Sequence, residues 1–562
     1  MTADTNNYVL ACKEIAAIIV ERDLSDAVTI NRLKKEISGK YSLCSIPRNS
    51  DVLKFGLSLI QVPIPDLNPD ELKERLKRKR MRTASGVLPV AVMTSPYPCP
   101  HGKCITCPGG PASEFESPQS YIGKEPAASR GAQHGFEPYE QVKARLHQIE
   151  EIGHDLEKVE LILMGGTLTA RPVDYQRWFV NRCLAALNEF GEERGLKIRN
   201  TGITFETRPD YANESEINQM LEMGATKVEL GLQHVSNAIL ERMQRGHSVE
   251  DTIRANRRAR DSGLKVGFHV MLGLPGATLE GDKRMFEEIF YNSDFKPDYL
   301  KIYPTLVVRG TELYEMWKQG EFEPICEDEV IEIISYAERI TPKWVRIQRI
   351  QRDIPAQYIE AGVKKSNLRQ IVEANLHENG YRCRCIRSRE AGLSRLVGRV
   401  VNEEEIKFSS ESYDACKGTE YFLSYEDVEN DILIALLRLR FPSEPHREEL
   451  IRFDTETGTG TGTGTGTETA LVRDLHVYSE LVSLGERKAH SWQHRGYGAR
   501  LLSEAEEIAV DNGYRKIAVM SGIGVREYYR RFGYQREGPF MTKKLVTTQV
   551  QSSGVHGSRL DR

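Results

Sequence analysis

Seven short apolar runs recur between residues 87 and 347, and amphipathic stretches separate most of them. The runs are Val87–Met93, Val159–Met164, Gly202–Phe205, Lys227–Leu230, Lys265–Met271, Tyr299–Ile302 and Val345–Ile347. Each is of strand length, and intervening segments such as Glu214–Met223 and Val249–Ser262 carry a helical apolar rhythm. Alternation at this spacing predicts an α/β fold of parallel βα units, either doubly wound or a full or partial (β/α) barrel. In such a fold chemistry collects on the loops at the C-terminal strand ends. Those loops here carry a cysteine cluster, then Gly165-Gly166-Thr167, Glu206-Thr-Arg-Pro209, Gly231-Leu-Gln233-His234 and Gly273-Leu-Pro-Gly276.

The cysteine loop reads Cys99-Pro-His-Gly-Lys-Cys-Ile-Thr-Cys-Pro-Gly-Gly110, three cysteines and a histidine within nine residues. Cys99, His101, Cys104 and Cys107 could close a tetrahedral zinc shell, or the three cysteines alone could hold an iron–sulfur cluster. Ligand type and spacing leave these two readings level. The glycines and prolines from Gly102 to Pro111 make a loop long enough to wrap a bulky cluster. Three thiolates on four irons would leave one iron open to a reagent. Ten cysteines in 562 residues, clustered in this way, argue for metal chemistry in a reducing compartment rather than for a disulfide framework.

Residues 1–85 read as helices and end in a basic run, Lys73-Glu-Arg-Leu-Lys-Arg-Lys-Arg-Met-Arg82, which suits either a solvated helix face or a phosphate-binding patch. Net charge is −4, so no global attraction to nucleic acid is available. The N-terminus has no basic signal-peptide region and no apolar run spans a bilayer, so a cytoplasmic protein without a membrane is expected. Residues 86–350 make the barrel-like unit and 351–415 a connecting region; 416–546 make a second α/β unit. The Thr-Gly repeat at 455–469 reads as a flexible loop inserted between two strands of that unit, and 547–562 as a disordered tail.

In the second unit a strand at 471–478 precedes Gln493-His-Arg-Gly-Tyr-Gly498, which opens a helix with apolar residues at Leu501, Leu502, Ala505, Ile508 and Ala509. Such a loop lets backbone N–H groups approach a pyrophosphate at the positive end of the helix dipole. Another strand, Lys516–Met520, follows, then Val525-Arg-Glu-Tyr-Tyr-Arg-Arg-Phe-Gly-Tyr534. Tyr528 and Tyr529 offer a hydroxyl acid or, equally simply, aromatic packing under a sheet. Cys383-Arg-Cys385 supplies two soft ligands and needs at least one more for a zinc site, with Cys326, His377 and Cys416 as candidates.

The cysteine loop resembles that of the radical S-adenosylmethionine superfamily, although its CxxxxCxxC spacing is one residue longer than the usual CxxxCxxC. It is closer to the catalytic subunit of Elongator and that subunit's stand-alone archaeal and bacterial relatives. The likeness continues through Gln119-Ser-Tyr121, Met164-Gly-Gly-Thr167, Glu206-Thr-Arg-Pro-Asp210, Arg245-Gly-His247, Lys301-Ile-Tyr-Pro-Thr305, Arg349…Gln351-Arg-Asp-Ile-Pro355 and Phe422-Leu-Ser-Tyr-Glu-Asp427. It runs from about residue 80 to 546, leaving residues 1–80 and the Thr-Gly tract weakly covered or outside it. The order of elements after residue 470 resembles the Gcn5-related N-acetyltransferase fold.

These resemblances imply a partial barrel of radical S-adenosylmethionine type, an acetyltransferase domain and a small helical N-terminal region. They imply that Cys99, Cys104 and Cys107 hold a 4Fe-4S cluster, and that His101 shapes the loop. Gly165, Gly166 and Thr167 would meet the methionine end of S-adenosylmethionine, and Glu206 and Gln233 its ribose and adenine. Acetyl-CoA would lie along Asp474, with Leu475, His476 and Val477 holding its pantetheine by their backbone, Gln493, Gly496, Tyr497 and Gly498 at its pyrophosphate, Lys158 in contact with it and Tyr528 near the thioester. Prokaryotic relatives carry a zinc-like site near Cys383 and Cys385.

The implied reaction is on tRNA. Reductive cleavage of S-adenosylmethionine, fed by an electron donor, gives a 5′-deoxyadenosyl radical that takes hydrogen from the acetyl-CoA methyl group. The carbon radical adds to carbon 5 of the anticodon wobble uridine, and thioester hydrolysis leaves 5-carboxymethyluridine. The basic run would grip tRNA phosphates. The alternative is a protein lysine acetyltransferase with a structural cluster, using Tyr528 or Tyr529 as acid. The sequence leaves open a homo-oligomer and the identity of the donor.

Overall fold

The computed structural model describes residues 3–58, 69–451, 469–479, 492–493 and 495–545. Two seven-stranded sheets organise it. The first contains β1 (Leu88–Met93), β2 (Lys158–Met164), β3 (Arg199–Thr207), β4 (Lys227–Gln233), β5 (Lys265–Leu272), β6 (Tyr299–Pro304) and β7 (Arg346–Arg349). All are parallel and stand in sequence order, with β1 and β7 at the two edges, so the barrel is partial.

The two faces of this sheet differ, as the strand period of 2 requires. On β2, Val159, Leu161 and Leu163 are buried in a core shared with Leu146, Phe179 and Phe190 of the covering helices. The alternate position Glu160 instead pairs inside the curve of the sheet with Lys227, which pairs with Glu229, itself paired with His269 and Lys301. A core of charged groups costs desolvation that only close pairing offsets, and here the pairs are continuous.

The second sheet has strand order β13-β14-β12-β11-β10-β9-β8. Its strands are β8 (Ile406–Ala415), β9 (Gly418–Asp427), β10 (Ile432–Phe441), β11 (Thr469–Val477), β12 (Lys516–Val519), β13 (Gln535–Glu537) and β14 (Phe540–Lys544). This sheet begins at Ile406, ten residues before the boundary expected from the sequence. The strand Ile406–Ala415 is an edge with mostly exposed or half-exposed polar side chains, so no apolar run announces it. Most of the Thr-Gly repeat and the whole of 547–562 lie outside the described residues.

Helices Ala3–Glu21, Ala27–Lys40, Asn49–Leu57 and Pro69–Leu76 pack around Ile15, Ile19, Leu33, Ile37, Leu53 and Leu72. Part of the basic run is structural: Arg75 donates to Ile19 O at 2.6 Å and pairs with Asp23 at 2.5 Å. Beyond it, Lys79 and Arg82 meet Arg130 and Arg145. Arg82 is the main cause that lowers the Lys79 pKa, and burial, with Arg82 and Arg130, lowers that of Arg145 to about 10. These cations converge without local acidic compensation among the causes of either shift, which makes an anion-seeking surface.

The second sheet is clamped to the N-terminal ends of β5 and β6. The fully buried Arg473 guanidinium donates to both Asp298 oxygens, at 2.8 and 2.9 Å, and to Glu420 at 2.8 Å. Arg260 reaches Glu420 at 3.0 Å and Arg440 reaches Asp261 at 2.8 Å. Asp298 and Asp261 belong to the first unit and Glu420, Arg440 and Arg473 to the second, so the network fixes their mutual placement.

Candidate active site

Cys99, Cys104 and Cys107 share one pocket at the C-terminal strand ends with Gln119, Tyr121, Gly166, Thr167, Glu206, Gln233 and Arg245. The Cys99 backbone N–H donates to Gln119 Oε1, and its sulfur lies 3.5 Å from Thr167 Oγ1. Ser120 N–H donates to Cys107 Sγ at 3.1 Å and Arg245 Nη1 to Cys104 Sγ at 3.3 Å. Burial pushes the Cys99 and Cys107 thiols up. These donors and a bound cationic iron would reverse that shift and hold thiolates.

Thiolates on one tetrahedral zinc ion would lie about 3.8 Å apart. Among the described residues only Glu206, Glu229 and His269 bring three such ligand atoms within 4.8 Å of one another. The three cysteines therefore fit a cluster that holds each sulfur on a different iron better than a single ion. His101 hydrogen-bonds Cys104 Sγ through Nε2 at 3.0 Å, and burial, with Arg208 and Arg245, lowers its pKa to about 3. It is a neutral ring that shapes the loop.

The two carboxylates of this trio already hold a cation of their own. Lys301 Nζ donates to Glu206 Oε1 at 2.8 Å and pairs with Glu229, while His269 Nε2 lies 2.9 Å from Glu229. Tyr121 donates to the other Glu206 oxygen at 3.3 Å. Glu206 is thus fixed at the pocket wall as an acceptor. Gly165 has φ +131°, and a Cβ there would stand 2.0 Å from Thr94 Oγ1. A side chain at Gly166 would stand 3.8 Å from Cys99 Sγ, inside the space a cluster and its ligand need. Gln233 lies on the same wall with φ +67°, a conformation non-glycine residues rarely hold. Tyr121, Arg245 and Lys301 were part of the sequence resemblance but carried no assigned role; their positions after β1, β4 and within β6 become meaningful only with the barrel closed around them.

The second site opens where β11 and β12 part. They pair in parallel from Thr469–Val472 to Lys516–Val519, and β11 then runs on to Val477 paired only with β10. Leu475 and Val477 flank the gap, packed beside the core. Gly496 takes φ +88° at the N-cap of helix Tyr497–Asp511, aiming free backbone N–H groups outward. A Cβ on Gly498 would lie 2.6 Å from the Tyr528 hydroxyl, so Tyr528 stands over the first turn of that helix. Burial pushes the Tyr528 pKa to about 12, which keeps the hydroxyl protonated as an acid requires. Tyr497 packs against Tyr425 with ring centroids 5.1 Å apart.

Lys158 Nζ donates to Gln493 Oε1 at 2.6 Å, and burial lowers its pKa to about 8. The first residue of β2 thus reaches the loop that opens helix Tyr497–Asp511.

Two expectations change. Tyr529 is 6 % exposed and packs in the hydrophobic core with Tyr534 and Leu501, so it is structural. The Asp474 side chain faces the first sheet, accepting from Tyr299 at 3.2 Å and Lys265 at 3.4 Å, and is not free for a cofactor. The His476 side chain spends Nε2 on Ser85 O at 2.7 Å, and its backbone remains to the cleft. Cys383 and Cys385 are both buried and hydrogen-bonded to each other, and the Glu338 carboxylate stands against Cys383. Cys326 is exposed, and Cys416 donates to Asp294 O elsewhere.

Residues 94–289 match the Radical SAM superfamily, 297–378 the Radical_SAM C-terminal domain and 470–534 the acetyltransferase (GNAT) family. Residues 8–84 match the ELP3 N-terminal domain, so the likeness extends over the helical region that the motifs left out. The tRNA uridine(34) acetyltransferase of Methanocaldococcus infernus is 51% identical over 537 residues, which span 92% of this chain and 96% of that protein. Elongator complex protein 3 of Homo sapiens is 39% identical over 548 residues, 94% of this chain and 96% of the relative. The solved structure of archaeal Methanocaldococcus infernus Elp3 with an N-terminal deletion (1–46) matches with TM-score 0.70 at 50% identity, covering 82% of this chain and 100% of that one. With a cysteine pocket at one end of a partial barrel and an acetyltransferase cleft clamped to the other, the chain belongs to the family of the tRNA uridine(34) acetyltransferases and Elongator complex protein 3.

Proposed function

We propose that this chain modifies carbon 5 of uridine 34 in tRNA, taking the added carbons from acetyl-CoA and producing 5-carboxymethyluridine. The observation that carries this reading is the clamp of Arg473 on Asp298 and Glu420, which holds an acetyl-CoA cleft rigidly against the barrel that bears the cysteine pocket. A 4Fe-4S cluster on Cys99, Cys104 and Cys107, with S-adenosylmethionine and an external one-electron donor, supplies the radical chemistry needed at an unactivated methyl group.

The chain's own residues do the rest. Gly166 and Thr167 bind the cofactor's amino-acid end, and Glu206, held by Lys301 and Tyr121, accepts from ribose hydroxyls. Gln493 and Lys158 hold the acetyl-CoA phosphates beside the helix N-terminus at Tyr497. Tyr528 gives its proton to the departing CoA thiolate. Lys79, Arg82 and Arg145 bind RNA phosphates.

The test is an anaerobic reaction with reductant, S-adenosylmethionine, acetyl-CoA and tRNA. It should give 5′-deoxyadenosine and a modified uridine, both lost in a Cys104→Ser variant. Lysine acetylation that persists without the three cysteines, with no nucleoside product, would replace this reading with the acetyltransferase one.

A further inference from the structure

We propose that Tyr97, Arg171, Tyr175 and Trp178 form a stacking ladder that receives the unpaired RNA bases beside the reacting uridine. The inference rests on the tRNA reading above and adds a binding site to it.

The four residues come from two places that the barrel brings together. Tyr97 lies two residues before Cys99 in the loop after β1. Arg171 follows the turn Leu168–Ala170 that leaves the Gly165-Gly166-Thr167 wall, and Tyr175 and Trp178 begin helix Val173–Glu192. The Arg171 guanidinium carbon lies 3.4 Å from the Tyr175 ring centroid and 4.6 Å from that of Tyr97. Tyr175 and Trp178 centroids are 5.4 Å apart. A row of flat groups therefore leads outward from the rim of the cysteine pocket.

Its edges are fixed and its outer faces are open. Arg171 Nη1 donates to Ser95 O at 2.9 Å, and both Nη atoms donate to Ser95 Oγ at 3.1 Å, which sets the guanidinium plane. Tyr97 is 37% exposed and Trp178 43%, whereas Trp344 and Trp492 are buried. Alternating aromatic and guanidinium planes are the chemistry that binds single-stranded nucleic acid, because every base has a π-face. An apolar protein partner would have to bury the Arg171 cation without a counter-ion.

Charge on the same edge of the barrel selects the occupant. Arg130, buried beside Arg82 and Arg145, donates to Ala91 O of β1 at 2.5 Å and so seats those two cations against the strand. Strand β1 thus has a phosphate-seeking surface along it and the stacking ladder just past its C-terminal end. RNA lying along β1 would meet cations with its backbone and planar groups with its loop bases.

The experiment uses the full-length holoenzyme and an anticodon stem-loop RNA with 2-aminopurine at a nucleotide flanking uridine 34. Binding should quench both the 2-aminopurine and the Trp178 emission, the latter disappearing in Trp178→Phe. The double variant Tyr97→Ala/Trp178→Ala should lose about 5- to 150-fold in RNA affinity for each base unstacked. Its salt dependence should keep the wild-type slope, because no phosphate contact is removed. Phenylalanine at both positions should restore binding to within about 3-fold, whereas leucine should not. Acetyl-CoA affinity and thermal midpoint should match wild type, which separates this role from a merely structural one. Unchanged RNA affinity in the double variant, or equal rescue by leucine, would overturn the ladder while leaving the tRNA reading intact. Failure of the wild-type enzyme to bind any tRNA would remove both.

Discussion

The Lys158 ammonium, on the first residue of a barrel strand, donates to Gln493 Oε1 of the second unit at 2.6 Å across 335 residues of chain. Burial lowers its pKa to about 8, so its charge is expensive and poised to be lost just above neutral pH. At lower pH the ammonium favours a pyrophosphate at the adjoining helix N-terminus. Acetyl-CoA affinity should therefore fall as pH rises through about 8, with the largest change between pH 7 and 9. Lys158→Arg should abolish that pH dependence and Lys158→Met should raise the dissociation constant about 10-fold at pH 7, as for loss of one charge-assisted hydrogen bond. Calorimetric titration across pH checks both.

Tyr528 and Tyr529 are neighbours with opposite fates. Tyr528→Phe should slow thioester turnover about 100-fold with CoA affinity little changed, because only the proton donor is lost. Tyr529→Phe should leave turnover near wild type. Tyr529→Ala should instead cost about 3–5 kcal/mol of stability, the range for emptying an aromatic core site. Steady-state kinetics and denaturant unfolding distinguish the two residues.

Removing Arg473 leaves Asp298 and Glu420 buried without their main partner. Arg473→Met should destabilise the protein by about 3–5 kcal/mol, read as a lower denaturant midpoint. Asp298 is held well below the usual carboxylate range against its own burial by Arg260, Arg473 and Arg438. A carboxylate with a depressed pKa stabilises the fold above its unfolded value, near pH 4, and that contribution is lost as pH falls further. Wild-type stability should drop steeply below about pH 4, and Asp298→Asn should flatten that dependence while lowering stability at pH 7.

Arg82 and Arg145 should act through RNA phosphates. Each alanine substitution should weaken tRNA binding without altering sequence preference, and should reduce the slope of log affinity against log salt by about 1. Filter binding over a salt series measures it. Arg75→Ala should instead lower stability, since Arg75 is committed to Ile19 O and Asp23.

Several features were legible in the chain because they are local. The period of apolar residues in Val159–Met164 or Lys265–Met271 reports which side of a strand is covered, and all seven strands of the first sheet follow from it. Gly496 before Tyr497 likewise marks a helix start through residue type and spacing. The edge strand Ile406–Ala415 escaped because an edge with solvent on its side chains carries no apolar signature.

What the sequence by itself determined is the kind of strand, turn and ligand present at each point, since these depend on neighbours within a few residues. Tertiary structure decided which distant groups meet. It turned Asp474 away from the acetyl-CoA cleft and toward Tyr299 and Lys265, and sent Tyr529 into the core. It placed Glu338 against Cys383, carried Lys158 to Gln493, and set Arg473 between Asp298 and Glu420. The physical reason is that a charge or hydroxyl in a chain has no fixed role until burial makes its pairing obligatory. Which partner is then within 3 Å is fixed by how two sheets pack, not by any local pattern.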